Sequence, residues 1–314
     1  MMPKKQTNYR DPTWFVKQLK RARAFANEPG RTSYLTSVRD RLPGYCTTPL
    51  KNGKLQSAYA GMLVTLNTLS LNSMVDGAIS IIDNDMEGWK ELRRGFLYDA
   101  WAARLRHAFV VHDNCYDDRQ NAVSAAIFDF SGTEALTLCH AIATGDDDFA
   151  HSFGRHLLAN YEKTNGGDTF FFYFKPFYPF VLKLYSVWIG QEISLRPDVA
   201  DPLKRYQQVF DHWESSSDLA AALLDLCDLH CAEVVDNSGY PAFSHQPYNL
   251  FPVEIMSIFR IRKELGLETP EVDHPLLHSA LLKPPPTIPH VEDALLDHVI
   301  RRFRSDFPDG KDWR

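Results

Sequence analysis

Apolar residues recur at helical spacing along most of the chain, and no stretch alternates apolar and polar residues for long enough to form a sheet strand. The patterns predict helices near residues 53–81, 86–112, 119–129, 133–143, 169–190, 199–213, 217–235, 252–265 and 289–304. Without a sheet, amphipathic helices bury their apolar stripes against one another. The sequence therefore predicts an all-α fold, a multi-helix bundle whose helix pairs could also stack as a solenoid.

Two helix starts are marked by residues that cap free backbone N–H groups. Asp11-Pro12 combines a capping carboxylate with a proline suited to the first helical position. Ser215 and Asp218 have the spacing of a capping box, in which two residues satisfy each other's backbone groups. These signals predict helices that begin just after Asp11 and just after Ser215.

The segment Thr164–Asp168, TNGGD, is the clearest interruption of the helical patterns. Glycine, asparagine and aspartate favour turns because they tolerate backbone conformations that other residues avoid. A chain of 314 residues is long enough for two units of ordinary size. We therefore predict two lobes, an N-terminal helical lobe at 1–164 and a C-terminal helical lobe at 168–314.

The net charge of the chain lies in one segment. The chain has 34 basic and 40 acidic residues, but the segment Tyr206–Phe259 contains eight carboxylates and no lysine or arginine. Outside this segment, 34 basic residues stand against 32 acidic ones. Because phosphate binding needs Lys or Arg, the segment excludes nucleic acid as its partner and favours a basic protein. A solvated acidic helix without a partner is the alternative interpretation.

Within this segment, the helix near 217–235 has carboxylates on one side and apolar residues on the other, given a rotation of about 100° per residue. Leu229 lies among the carboxylates, where it is either an interface anchor or a single exposed leucine. We predict a partner-binding surface formed by Asp211, Glu214, Asp218, Asp225, Asp228, Leu229, Glu233 and Asp236, with Tyr240 and Tyr248 at its rim.

The apolar side of the same helix carries Cys227, His230 and Cys231, three residue types that bind zinc. A structural zinc site needs four ligands, and no second Cys/His pair lies nearby in the sequence. Free cysteine is among the most buried residue types. We therefore predict a buried histidine between two buried cysteines, without a metal.

Few residues of the chain have the spacing of a catalytic site. The sequence contains no phosphate loop, dinucleotide fingerprint, nucleophile elbow or HExxH motif. His112-Asp113, with His107 five residues earlier, leaves a helical metal-dependent phosphohydrolase as the alternative function. The prediction from the residues is a protein that is not an enzyme and needs no cofactor.

The composition also predicts the compartment. Five cysteines form no framework of close pairs, and the first residues contain no apolar run of a signal peptide, which favours a reduced, cytoplasmic protein. Leu55–Val75 carries no charge, but its many hydroxyl and amide side chains make it too polar for lipid. We expect this segment to form a buried or half-buried helix rather than a membrane span.

One stretch resembles a known class of proteins. Asn249–Ile255, NLFPVEI, opens a helix that Ile261–Leu267, IRKELGL, ends, and Glu268–Leu277, ETPEVDHPLL, follows. Over residues 245–282 this layout resembles the C-terminal part of the large helical immunity proteins of bacterial polymorphic toxin systems. The resemblance implies a non-enzymatic bacterial protein, encoded beside a toxin that contact-dependent or type VI secretion delivers. Such toxins are often nucleases.

The charge pattern and the resemblance agree on one kind of partner. A nuclease toxin has a basic cleft for nucleic acid, and a protein inhibitor can offer carboxylates in place of phosphates. We therefore expect a cytoplasmic immunity protein that binds a basic toxin domain and contacts neither nucleic acid nor membrane. The metal-dependent phosphohydrolase and a helical scaffold protein without a toxin partner remain the other hypotheses.

Overall fold

The computed structural model describes residues 8–112, 130–163, 176–195, 201–235, 243, 245–287 and 289–308. It confirms the all-α class, because these residues form helices and turns and contain no sheet strand beyond an isolated bridge between Lys51 and Lys54. The α-helices are α1 Thr13–Ala26, α2 Arg31–Thr47, α3 Gln56–Ile82, α4 Gly88–His112, α5 Phe130–Thr144, α6 Asp147–Lys163, α7 Phe177–Trp188, α8 Gln207–Asp211, α9 Ser216–Val235, α10 Val253–Glu264 and α11 Ala294–Asp306. Short 3-10 turns lie at Lys204–Tyr206, Pro275–His278 and Ala280–Leu282.

Both predicted helix starts are confirmed, and the helix of the 245–282 motif ends within Ile261–Leu267, as predicted. The Oδ1 atom of Asp11 accepts a hydrogen bond from the backbone N–H of Thr13 at 2.9 Å. At the start of α9, the N–H of Asp218 donates to Oγ of Ser215 at 3.3 Å. Gly266 ends α10 with φ of 73°, a left-handed conformation that glycine adopts without strain.

Helix α2 is absent from the sequence-based prediction, which placed no second helix between the one that begins after Asp11 and the one near residue 53. Pro43 lies inside α2, and its ring removes one backbone hydrogen bond. The helix forms because its buried stripe packs on α3, which offsets that cost; the stripe consists of Leu35, Val38, Leu42 and Cys46. Tertiary packing therefore overrides the local signal here.

Buried residues form two clusters. The larger one, the main core, takes residues from α1, the second half of α3, and α4 to α10. The smaller one joins α2, the first half of α3, α4 and the C-terminal helix α11. Because α3 and α4 contribute to both clusters, this helix pair connects the two clusters among the described residues.

Helices α3 and α4 approach each other closely along a line of glycines. A Cβ atom at Gly77 would lie 2.7 Å from the carbonyl oxygen of Gly88, and one at Gly95 would lie 2.7 Å from the backbone nitrogen of Met74. Real side chains do not reach such distances to backbone atoms. The three glycines therefore permit backbone contact between the two longest described helices.

The charge-free segment Leu55–Val75 lies mostly within α3, and most of its described side chains are buried or half-buried, as predicted. None of the described helices is both long and apolar enough to cross a membrane. The apolar side chains of α3 are divided between the two clusters.

The predicted boundary at 164–168 lies outside the described residues, as do the predicted helix at 119–129 and the first residues of the helix at 169–190. Buried residues from both sides of that boundary belong to the main core. The C-terminal helix α11 packs against α2, near the start of the chain. Within the described residues, the two predicted lobes therefore share their cores.

Candidate functional site

Four of the predicted partner-binding carboxylates are exposed. Asp211 ends α8, Glu214 lies in the following turn, and Asp218 and Asp225 lie on α9. Asp225 keeps 68% of its side chain exposed. We call these four residues the exposed acidic group. Their carboxylates are placed to contact a partner at the surface.

Asp228, which we predicted to lie on solvent, is instead half-buried and has two neighbours. The Nε and Nη2 atoms of Arg10 donate to its Oδ2 at 3.0 and 2.8 Å. Its Oδ1 lies 3.4 Å from Nε2 of the buried His274. Nδ1 of His274 accepts the N–H of Leu276 at 3.1 Å, so the ring proton lies on Nε2, the nitrogen near Asp228. Asp228 therefore links the N-terminal segment to the chain after α10.

Arg10 also reduces the negative charge of the exposed acidic group. Its Nη2 atom lies 3.7 Å from Asp225, in addition to its contact with Asp228. The sequence pattern could not reveal this cation, because it lies 218 residues from Asp228 along the chain. Its guanidinium is half-exposed, so a partner can displace it or dock beside it.

The structure corrects three further expectations for the predicted surface. Leu229 is half-buried and packs against the main core, because neighbouring segments cover the side of α9 on which it lies. Tyr248 is 4% exposed and its hydroxyl lies 3.2 Å from Nδ1 of His140, so it is a core residue rather than a rim contact. Glu233 is half-buried. Asp236 and Tyr240 lie outside the described residues.

Helix α9 is fixed to α10 by a buried pair. Nδ1 of His230 lies 2.7 Å from Oε1 of Glu254, and neither side chain is exposed. The ring of Phe243 stacks on the imidazole with its centroid 4.3 Å away. The sequence-based prediction counted Glu254 among the carboxylates of the acidic segment, but this carboxylate is part of the core.

The two cysteines beside His230 are buried, as predicted. Cys227 and Cys231 have no exposed surface, and burial raises the pKa of both thiols. The role of these residues in the structure is to fill the space between α9 and the main core.

The turn that carries Glu214 is held by a buried arginine of α10. Arg262 has no exposed surface and donates hydrogen bonds to the carbonyl oxygens of Trp213 and Glu268. Its guanidinium also lies 5.5 Å from the centroid of the Trp213 ring. These contacts fix the chain directly before Glu214, so the exposed acidic group stands on rigid elements.

The residues of the alternative phosphohydrolase lie at the edge of the described structure. His107 is on α4, and its ring centroid lies 4.0 Å from that of His156 on α6. The side chain of His112 and all of Asp113 lie outside the described residues. Where the structure does describe side chains, no three His, Cys, Asp or Glu residues are grouped to hold a metal ion.

The motif at 245–282 forms part of the core. Seven successive residues of α10, from Val253 to Phe259, include six that are buried, and Glu254 and Arg262 make the contacts described above. Through these two residues the motif supports α9 and the turn before it, while several of its residues after α10, Leu265 and Asp273 among them, are exposed.

Comparison of the chain with protein families, curated proteins and solved structures gives no match.

The geometry suits electrostatic recognition. Carboxylates on a rigid helix surface attract a basic partner over about 10 Å at moderate ionic strength, and they need no reorganisation when the partner arrives. Leu229, the predicted anchor, is half-buried against the main core. Recognition at this surface would therefore depend mainly on charge pairs.

Proposed function

We propose that this protein is an immunity protein that binds and neutralises a cognate antibacterial toxin, a basic nuclease delivered by type VI or contact-dependent secretion. The observation that carries the proposal is the exposed acidic group, which lies in a segment of the chain without lysine or arginine. The resemblance at 245–282 also supports it, and buried residues of that motif, Glu254 and Arg262, contact α9 and the turn that carries Glu214.

The proposed mechanism is competition with nucleic acid. Asp211, Glu214, Asp218 and Asp225 approach the Lys and Arg side chains that hold phosphates in the toxin. Complementary charge speeds the encounter, by a factor of about 10 to 1,000 at low salt. The rigid support of α9 by α10 keeps the entropic cost of binding low.

The test of the acidic group is a triple charge reversal, Asp211→Lys with Glu214→Lys and Asp225→Lys. These side chains are exposed, and Asp225 lies 3.7 Å from Arg10. Asp218 and Asp228 are left unchanged, because the Asp218 carboxylate accepts a hydrogen bond from the capping residue Ser215 and Asp228 accepts two from Arg10. We expect association with the toxin encoded by the neighbouring gene to slow at least about 10-fold at low salt. The salt dependence of the association rate should also flatten. Both quantities are measured by binding kinetics at two salt concentrations.

The matched control reverses three exposed glutamates on other elements, Glu28→Lys with Glu87→Lys and Glu292→Lys. It changes the net charge by the same amount, so it distinguishes the effect of the charges in the exposed acidic group from the effect of the net charge of the protein. Equal slowing in both variants would show that only the net charge matters. Growth rescue on co-expression tests the function itself, and a wild-type protein that fails to protect cells from the toxin would contradict immunity.

A second prediction follows from Arg10, whose positive charge opposes recognition of a basic partner. Arg10→Ala is expected to speed association about 2-fold at low salt and to have no effect at high salt. Lys17→Ala removes an equal charge from the exposed side of α1 and serves as the control. Slower association of Arg10→Ala alone would instead place Arg10 in the contact with the toxin.

A further inference from the structure

The chain that follows α10 contains a buried histidine that caps a short turn. His274 has no exposed surface and directly precedes the 3-10 turn Pro275–His278. Its Nδ1 atom accepts the backbone N–H of Leu276 at 3.1 Å, as the side-chain oxygen of an ordinary N-cap residue does. Leu276 is itself buried in the main core. The cap therefore holds the turn at the point where a core side chain enters the protein.

This cap requires a neutral imidazole. A neutral histidine has one ring nitrogen that accepts and one that donates, whereas both nitrogens donate when the ring is protonated. A second proton on His274 goes to Nδ1, where it faces the N–H of Leu276. Two donors then oppose each other inside the protein, and the N–H loses its acceptor. Protonation therefore removes the cap and leaves a buried backbone N–H without a partner, which destabilises the closed turn.

The charged and titratable groups around the ring come from two other elements. Asp228 on α9 is 3.4 Å from Nε2 of His274, His230 lies on the same helix, and Arg10 belongs to the segment before α1. Burial lowers the pKa of His274 below its ordinary value of 6.5. Asp228 opposes this effect, whereas Arg10 and His230 add to it. Burial is the largest of these effects, so the closed structure favours the neutral ring.

We propose that His274 is an acid-sensitive cap, whose protonation opens the turn Pro275–His278 and separates the chain after α10 from Asp228 on α9. The pH dependence has a definite sign. The opened chain binds the proton more tightly than the closed one, so opening is least favourable near neutral pH and becomes easier as the pH falls below 6.5. A single proton changes the opening constant by at most about 10-fold per pH unit.

The acid-sensitive cap acts next to the exposed acidic group, because Asp228 follows Asp225 by less than one turn of α9. Its opening would change the surroundings of Asp228 and of the Arg10 side chain that pairs with it. The proposal does not rest on the immunity function, because opening is a property of the unbound protein.

The next turn in the chain is an internal reference whose cap does not titrate. The 3-10 turn Ala280–Leu282 follows Ser279, whose Oγ atom accepts the N–H of Leu281 at 3.2 Å in the same arrangement. A hydroxyl remains an acceptor in neutral and in acidic solution. Leu281 is buried like Leu276. The two turns therefore differ in the chemistry of the capping atom, and we expect acid to open the first one alone.

The test is amide hydrogen exchange of the whole protein at about pH 7.5 and about pH 5.5, measured by mass spectrometry and corrected for the intrinsic effect of pH on exchange. In the wild type, opening of Pro275–His278 should increase about 3- to 10-fold at the lower pH, whereas Ala280–Leu282 should not change. His274→Asn provides an oxygen that accepts the N–H of Leu276 and does not titrate. Opening of the first turn should then be the same at both pH values.

The matched control is His278→Asn, since His278 belongs to the same turn but keeps 63% of its side chain exposed. This variant should retain the acid response of the wild type. An equal response of the two turns in the wild type, or an acid response that persists in His274→Asn, would overturn the proposal. If His274→Asn does not fold, the comparison of the two turns in the wild type decides by itself.

Discussion

Replacing Glu254 by alanine is expected to lower the free energy of unfolding by about 3–5 kcal/mol. The carboxylate lies inside the protein, 2.7 Å from Nδ1 of His230, and neither side chain is exposed. Its removal leaves the imidazole without its hydrogen-bond partner and leaves a gap between α9 and α10. Both effects destabilise the folded state. A buried polar group without a partner has lost its hydrogen bonds to water and forms no hydrogen bond inside the protein to replace them. Urea unfolding monitored by circular dichroism measures the change.

A double-mutant cycle separates the pair interaction from the loss of packing. Glu254→Leu and His230→Leu should each destabilise strongly, whereas the double variant should cost much less than the sum of the two. Replacing both members of a buried pair by apolar side chains is often nearly neutral. Additive effects would show that Glu254 and His230 do not depend on each other. The link between α10 and the acidic helix would then rest on Arg262 and the apolar contacts.

Replacing Gly77 by alanine is expected to destabilise the protein by about 3 kcal/mol. Helix propensity alone predicts the opposite sign, because alanine is better than glycine inside a helix by about 1 kcal/mol. The close approach of α3 and α4 decides the sign. The new Cβ would lie 2.7 Å from the carbonyl oxygen of Gly88 and would also overlap the backbone of Leu92. Backbone atoms cannot rotate away, so the two helices must separate.

The matched control is Gly44→Ala, since Gly44 also lies within a helix but has open space around its Cβ position. This variant should be neutral or more stable by up to about 1 kcal/mol. The midpoints of thermal unfolding of both variants give the comparison. A Gly77→Ala protein as stable as Gly44→Ala would mean that α3 and α4 are farther apart than described.

Most of the helices could be predicted because their signals are local. Apolar spacing along the chain repeats with the period of the helix, and caps such as Asp11 and Ser215 act on N–H groups within three residues. The predicted helices at 217–235 and 252–265 correspond to Ser216–Val235 and Val253–Glu264 within one residue at each end. Helix α2 could not be predicted in this way, because packing on α3 stabilises it despite Pro43.

The candidate site was only partly predictable. The helical pattern placed Asp218 and Asp225 on the exposed side, and both are exposed. It also placed Leu229 and Asp228 there, but it contains no information about which distant segments cover a helix. Arg10 and His274 approach Asp228 from sequence positions far from α9. Nothing near Asp228 in the sequence indicates either contact.

The sequence by itself determined the all-α class, the ends of several helices and the confinement of negative charge to one segment. Each of these properties depends on residues close together in the chain, so a linear pattern contains it. The tertiary structure determined which carboxylates are exposed to solvent, which are paired, and where two helices make backbone contact at glycine residues. Those properties depend on the spatial distances between residues that are far apart in the chain. Burial and electrostatic interactions are both determined by such distances, which a linear pattern does not contain. Glu254 and Glu214 are therefore alike in the sequence, yet one belongs to the core and the other to the surface.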